Sequence, residues 1–399
     1  MVTSPTLATA CFRLASLLTD PLCKAHEAYA LTSVTQFMHP DSKWYLNKGR
    51  NTLLLIKAIF LTALALLTTV PGALLRCIGN QLQEKPFLSW SGPHAKELPC
   101  QRAFTMSSWN VCCMVAGFAI GENLPPWKYR IDGIVRNILL KDSDVVCLYE
   151  TFDTKAAFLI SERLKEAGYH FGYFNIGSRA LGVSSGLMVA SKYKIVDPEF
   201  TPFPKDTLLG VSKFSSKGFF TFSLASRKAP FARIITTHLQ HSETAQHPTL
   251  EECGARRLEM DLIRAKALDA QSEHLATVVT GDLNLNDEEY VSLNLETSFN
   301  KGYQDPRNPF TFQGNLKQQT DPSNLDHVMA VRNNSIIDIL TTVHQDDNYQ
   351  CVDFPGQKLV YSDHRVLATV VELPPSRAEH SSGVDPEVEF DFGQKPKGK

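Results

Sequence analysis

Five short segments close apolar runs on side chains that can bind a cation or move a proton: Ser108-Trp109-Asn110, Leu148-Tyr149-Glu150, Thr236-Thr237-His238-Leu239-Gln240, Gly281-Asp282-Leu283-Asn284 and Ser362-Asp363-His364. A single polar residue at the end of a strand is ordinary. A set that supplies carboxylates, amides and two imidazoles is hard to explain as core filling. It matches what phosphoryl transfer requires: oxygen ligands for a hard cation, a group that activates water, and donors for the developing charge.

Each residue has a bland alternative. Glu150 ends a buried run, where a lone carboxylate is costly unless it is paired or binds a cation such as Mg²⁺, with Mn²⁺ as a substitute. Alone, it serves equally as the N-cap of a helix beginning near Lys155. Asn110 offers a neutral oxygen to the same ion. Asp282 and Asn284 stand at i and i+2, which on an extended chain places both on one side. Asp282 then holds or deprotonates water and Asn284 donates to a phosphoryl oxygen, whereas the alternative is a turn. His364 follows Asp363, but neighbours on a strand face opposite ways, so Asp363 need not bond it; a separate acid could orient it instead, and Asp326 in Asn324-Leu325-Asp326-His327 is the candidate. His238 is the second imidazole, and the sequence leaves open which is acid and which is base. Lys217, before Gly218-Phe219, is either a solvated turn residue or a point charge for a phosphate or an anionic lipid edge.

These residues need a rigid frame. The segments Phe104–Asn110, Asp144–Glu150, Gly186–Ala190, Phe219–Leu224, Phe231–Thr237, Thr277–Thr280, Leu325–Val331 and Val366–Val371 read as strands. Ile131, Ile134, Val135, Ile138 and Leu139 form one helical stripe, and Lys155–Ala167 and Thr249–Ser272 read as further helices. Strands interleaved with helices predict a layered α/β sandwich of two sheets. The catalytic domain is expected over 103–372, with a Pro-containing linker at 78–102 and a disordered tail at 373–399. The N-terminal region, 1–77, holds the apolar run 53–75, long enough to cross a hydrocarbon core. Pro71-Gly72 is expected to break that helix, leaving a single span, a re-entrant hairpin or an interfacial helix open. The first residues lack the basic start of a cleavable leader. A net charge of −2 over 399 residues gives no basic field for nucleic acid. Nine irregularly spaced cysteines fit reduced thiols in a reducing compartment better than a disulfide framework.

At these motifs the chain resembles the endonuclease/exonuclease/phosphatase superfamily, the DNase-I-like fold, over about residues 103–372. The resemblance implies a four-layer α/β sandwich with the site at one edge of the sheets. It implies Glu150 as the principal Mg²⁺ ligand with Asn110 beside it, Asp363 as a metal-side carboxylate, Asp282 and Asn284 as the water-activating and phosphate-contacting pair, Asp326 as the acid orienting the last histidine, and His364 as the catalytic histidine. Within the superfamily, Ser216-Lys217-Gly218-Phe219, Thr237-His238-Leu239-Gln240 and Tyr361-Ser362-Asp363-His364 resemble segments of the neutral sphingomyelinases. Tyr149 departs from the Gln or Asn that many members carry there. The expectation is a membrane-associated, Mg²⁺-dependent hydrolase of sphingomyelin. The rivals are a nuclease or another phospholipid phosphatase of the same fold, or an inactive membrane-docked scaffold.

Overall fold

The computed structural model describes residues 7–374, apart from 40, 84, 93–101, 116–123, 178–182, 227–228, 244–246, 270–274, 305–309, 313–321, 333–335, 337, 345–348 and 352–353. Two long helices, α1 (Leu7–Met38) and α2 (Trp44–Leu82), come first. Then follow β1 (Leu88–Ser91), β2 (Ala103–Asn110), α3 (Trp127–Lys141), β3 (Val145–Tyr149), α4 (Thr154–Glu166), β4 (Phe171–Phe174), β5 (Met188–Ser191), β6 (Lys194–Pro202), β7 (Gly218–Ala225) and β8 (Pro230–His238). The chain continues through α5 (Leu250–Asp269), β9 (Ala276–Asp282), α6 (Asp287–Ser292), β10 (Phe299–Lys301), β11 (Tyr303–Gln304), β12 (Asp326–Val331), β13 (Asp338–His344), β14 (Tyr349–Cys351), β15 (Phe354–Leu359) and β16 (Val366–Glu372). One sheet has the order β1-β4-β5-β3-β2-β16-β13-β11 and the other β10-β12-β9-β8-β7-β6.

The central strands β3, β5, β7, β9 and β12 are buried on both faces, and their alternation builds the layers. Along β3, Val145, Cys147 and Tyr149 point into the core between the sheets with Met106, Phe220, Ile234 and Val278. Val146 and Leu148 point the other way, against Ile131, Ile134 and Ile138 of α3 and Ile160 and Leu164 of α4. On the far side, Ile235 and Val279 pack on Met260, Ile263 and Ala267 of α5. The result is the expected helix–sheet–sheet–helix sandwich. Within it, Gly133 of α3 is required by close approach, since a Cβ there would lie 1.7 Å from Cε1 of Tyr361.

The N-terminal region differs from expectation. Residues 78–102 are not simply a linker: α2 runs on to Leu82, and β1 pairs antiparallel with β4 as an edge strand of the first sheet. Pro71 does not break α2, which continues through it. The following Gly72 instead permits close packing, because a Cβ there would meet Thr19 Cγ2 at 2.9 Å and Leu18 Cβ at 3.1 Å. The buried residues of α2 are Ala58, Ala65, Gly72 and Gly79, spaced by one heptad, so a stripe of small side chains lets α1 lie tightly alongside. Helix α1 was not expected, because it buries mainly alanines (Ala8, Ala15, Ala25, Ala28) around Phe12 and shows no strong apolar stripe.

The other face of α1 docks on the sandwich. Lys155, in the first turn of α4, pairs with Asp20, and Lys128, in the first turn of α3, pairs with Glu27 at 2.5 Å. Arg13 lies over the Phe158 ring at 4.8 Å. Helices α3 and α4 both begin at the sheet edge where Asn110 and Glu150 end, so α1 passes that edge at residues 20–27 and continues beyond it. Opposite α1, Leu53, Ile56, Ile59, Phe60, Leu66 and Leu67 of α2 are exposed, and only 11% of its most apolar window is buried. By length and composition α2 is the one described helix able to cross a membrane, and it is not a core helix. The expected tail lies outside the described residues beyond 374.

Candidate active site

Sheet register gathers the polar strand ends. In the second sheet, Asp282 at the end of β9 sits between His238 of β8 and Asp326 of β12. In the first sheet, Asn110 pairs with Tyr149, which precedes Glu150. Beneath the site a closed polar ring ties the sheets together. Tyr149 Oη lies 2.8 Å from Ser108 Oγ and 3.2 Å from Thr280 Oγ1, and Thr280 Oγ1 donates to Ser108 Oγ at 2.9 Å. This ring gives Tyr149 a structural role.

The 361–364 turn brings the last residues across. Ser362 Oγ donates to the Asn110 carbonyl at 2.6 Å and accepts from His364 N at 3.2 Å, and Trp109 Nε1 donates to the His364 carbonyl at 2.9 Å. His364 Nδ1 is then 2.7 Å from Asp326 Oδ2, and its Nε2 is 3.7 Å from Asp282 Oδ2. Asp363 is not the partner of His364 and stands half-buried on the Glu150 side. Asn110 Nδ2 donates to Asp282 Oδ2 at 2.9 Å. His238 Nε2 lies 3.7 Å from the same oxygen and 3.8 Å from Glu150 Oε1, while its buried Nδ1 has no hydrogen-bond partner among the described residues. All the residues singled out in the sequence therefore converge on one sheet edge.

Three of them differ in detail from expectation. Glu150 is not a helix cap: Asp153 caps α4, accepting from Lys155 N at 2.8 Å and Ala156 N at 3.2 Å. Glu150 instead has φ +57° and a side chain 21% exposed. A left-handed glutamate costs about 1–2 kcal/mol, a strain that clusters at functional sites. Asn284 does not continue a strand beside Asp282. With φ +50° it turns away, its N–H donates to Asp282 Oδ1 at 3.1 Å, and its Nδ2 reaches the Leu239 carbonyl at 3.4 Å. Lys217 is buried rather than solvated, and its Nζ donates to that same carbonyl at 2.5 Å. Buried in this way, it does not reach the edge of a lipid surface.

Burial and mutual charge set the protonation states. Burial, then the Asp326 charge, pushes Asp282 up to about 7. Burial alone would lower His364, but the carboxylates of Asp326 and Asp282 on either side hold it well above the ordinary imidazole range. Burial, reinforced by the Lys217 charge, keeps His238 neutral. Burial also lowers Lys217. Glu150 is raised by burial and then by the nearby charge of Asp363.

That last pairing fits a hard divalent cation. Two carboxylates and the Asn110 amide offer oxygens only, and the repulsion between Glu150 and Asp363 is what a cation removes. Asp282, Asp326 and His364 also bring ligand atoms within 4.8 Å of one another. There both nitrogens of the imidazole face carboxylates, an arrangement that suits proton transfer.

Sequence reading missed the support behind this site. Arg256, fully buried on α5, donates to Glu289 Oε1 at 2.8 Å, to the Gln240 carbonyl at 3.1 Å and to Ser242 Oγ at 2.7 Å. Glu259, one turn on, accepts from Gln240 N at 2.8 Å and Thr207 Oγ1 at 3.1 Å. Together they fix the loop after His238. Their only sequence signal is a Glu and an Arg on the inner face of an otherwise ordinary helix.

His327 is a buried core histidine pointing away from the site. Its Nε2 is 3.2 Å from the Leu285 carbonyl, and its ring stacks on Tyr290 at 5.2 Å. Burial lowers it to about 3, so it stays neutral in the fold. The unfolded chain takes up this proton near pH 6.5, so the stability is present above pH 6.5 and is lost as pH falls toward 3. Between pH 6.5 and 4 the loss amounts to about 3 kcal/mol. His327→Gln is therefore expected to flatten the fall of the urea midpoint over that interval. An unchanged slope would show that this imidazole does not drive acid unfolding.

Comparison with known proteins agrees with this fold. The model of the endonuclease/exonuclease/phosphatase family matches residues 107–374. The comparison with curated protein sequences found no match. Among solved structures, sphingomyelinase C from Streptomyces griseocarneus aligns with TM-score 0.55 and 18% identity over 67% of this chain and 99% of its own. A mutant beta toxin from Staphylococcus aureus with bound magnesium ions aligns with TM-score 0.54 and 17% identity over 67% and 98%. D. rerio TDP2 complexed with a single-strand DNA product aligns with TM-score 0.51 and 14% identity over 68% and 100%. At these identities the likenesses establish the fold. With a family model covering most of the chain and the strand-end residues converged on one sheet edge, the chain belongs to the endonuclease/exonuclease/phosphatase family.

Proposed function

We propose that the chain is a Mg²⁺-dependent phosphodiesterase that hydrolyses sphingomyelin at a membrane surface, releasing phosphocholine and leaving ceramide in the bilayer. The observation that carries the reading is the convergence of the Glu150–Asp363–Asn110 oxygens with the His364–Asp326 pair around Asp282. A divalent cation held by Glu150, Asp363 and Asn110 would offset the phosphate charge and that of the leaving alkoxide. Asp326 fixes the tautomer of His364, whose Nε2 faces Asp282 at 3.7 Å, so this pair takes the proton of the attacking water. Lys217 and Asn284, steered by the Leu239 carbonyl, supply donors for the phosphoryl oxygens. Neutral His238 stands across Asp282 and donates to the phosphate or the leaving oxygen.

The substrate class is supported by the three segments that resemble neutral sphingomyelinases, by the likeness to sphingomyelinase C, and by the apolar α2, whose hairpin with α1 runs past the edge at which the site lies. Such a hairpin would hold the site against an insoluble substrate. The test offers the full chain sphingomyelin, phosphatidylcholine and single-stranded DNA under one set of conditions, with products identified by mass. Phosphocholine from sphingomyelin as the dominant product is expected. Preferential cleavage of DNA would keep the fold and overturn the substrate.

A further inference from the structure

Between β6 and β7 the chain makes a short 3₁₀ turn, Gly210–Phe214, directly before Lys217. Residues at i and i+3 eclipse in a 3₁₀ helix, so Val211 and Phe214 share one face. That face points outward: Val211 is 68% and Phe214 73% exposed. Of the two residues between them, Ser212 points inward and is buried, with Oγ 3.0 Å from His241 Nδ1. The turn is rigidly mounted. Leu209 N donates to Gln240 Oε1 at 3.0 Å, and Val183 N donates to the Phe214 carbonyl at 3.0 Å. Gln240 and His241 lie just past His238, so the mounting joins the turn to the site itself.

We propose that this turn is a lipid-contacting ridge, with Val211 and Phe214 seated at the boundary between headgroups and acyl chains of the bilayer that carries the substrate. The proposal rests on the reading of sphingomyelin as substrate. Two adjacent bulky apolar side chains on a pinned turn gain nothing for the fold, and their burial in an interface is favourable without any ordering of the loop. Lys213, in the same turn, is exposed, as are Lys205 and Asp206 in the preceding 3₁₀ turn. Ammonium groups beside an apolar tip suit phosphate headgroups above hydrocarbon. A tip of two side chains is too small for a stable protein interface, which buries upwards of ~1,000 Å². Seating the ridge would fix the site at a set height over the membrane, next to the headgroup that Lys217 and His238 must reach.

The test uses the full chain with Phe214→Trp, bound to vesicles of equal parts sphingomyelin and phosphatidylcholine brominated in its acyl chains. The fluorescence added over wild type is expected to be quenched about twofold or more. Leu140→Trp, 72% exposed at the far end of α3, serves as the control and is expected to be unquenched. In parallel, Val211→Ser with Phe214→Ser is expected to slow hydrolysis of vesicle sphingomyelin about tenfold while leaving a soluble short-chain sphingomyelin unaffected. An unquenched indole in the Phe214→Trp protein, on material that still floats with the vesicles, overturns the ridge, as does an equal loss on vesicle and soluble substrate. Quenching does not depend on turnover, so it separates failure of the ridge from failure of the assigned substrate.

Discussion

His364→Ala is expected to lower turnover about 10³-fold with folding preserved, and Asp326→Asn to reproduce much of that loss. A thousandfold is about 4 kcal/mol of transition-state stabilisation, within what a positioned acid or base supplies. The Asp326 case is the more diagnostic. Its carboxylate is 2.7 Å from His364 Nδ1 and is the main influence raising that imidazole against burial. The amide removes this influence, so the His364 pKa falls. A base must be unprotonated to act, so the acid limb of the turnover profile should move to lower pH even as the maximum drops. The urea midpoint at neutral pH checks the fold. Wild-type turnover in His364→Ala would remove this residue from the reaction. A reduced maximum with an unmoved acid limb in Asp326→Asn would reduce Asp326 to a packing role.

The second large effect is at Glu150. Glu150→Gln keeps shape and backbone while removing one of two facing carboxylates. Activity is expected to fall about 10³-fold, the scale on which metal-held electrostatic stabilisation is lost. Stability without metal is expected to rise by about 1 kcal/mol, because the variant no longer carries a part-buried charge beside Asp363. The two signs together mark a residue retained for function at the expense of the fold. Thermal unfolding in a Mg²⁺ series separates the explanations. Binding to the native state raises the wild-type midpoint by mass action, and that rise should be absent or much reduced in the variant. Equal Mg²⁺-linked stabilisation of both proteins would exclude Glu150 as a ligand.

Much of this site was legible because strand ladders are local rulers. Asp282, His238 and Asp326 end strands that pair in register, so identifying the apolar runs was enough to line up their polar ends. Asp326 is the partner of His364, and it is the 361–364 turn, not strand alternation, that carries Asp363 to the Glu150 side. The parts that escaped depend on contacts between distant segments. Nothing near Arg256 or Glu259 announces that they hold the loop after His238. Lys217 reads as a solvated turn residue until Leu239, Asn284 and α5 enclose it. The left-handed turn at Asn284 breaks an alternation that the residue types alone would continue. Helix α1 shows little apolar periodicity because small residues suffice where α2 presents Gly72 and Gly79. Pro71 reads as a breaker only while α2 is considered without α1. The membrane-facing ridge was hidden for the opposite reason: Val211 and Phe214 look like ordinary core residues until their exposure is seen.

The converged carboxylates and imidazoles are proposed to direct water to phosphorus under metal control. Hydrolysis of sphingomyelin vesicles by the full chain in ¹⁸O-water, with Mg²⁺ or with a chelator, tests it in one sample. The expected result is a single ¹⁸O in the phosphocholine, none in the ceramide, and no product with the chelator. Label in the ceramide hydroxyl, or release of phosphocholine that a chelator leaves unchanged, would contradict it.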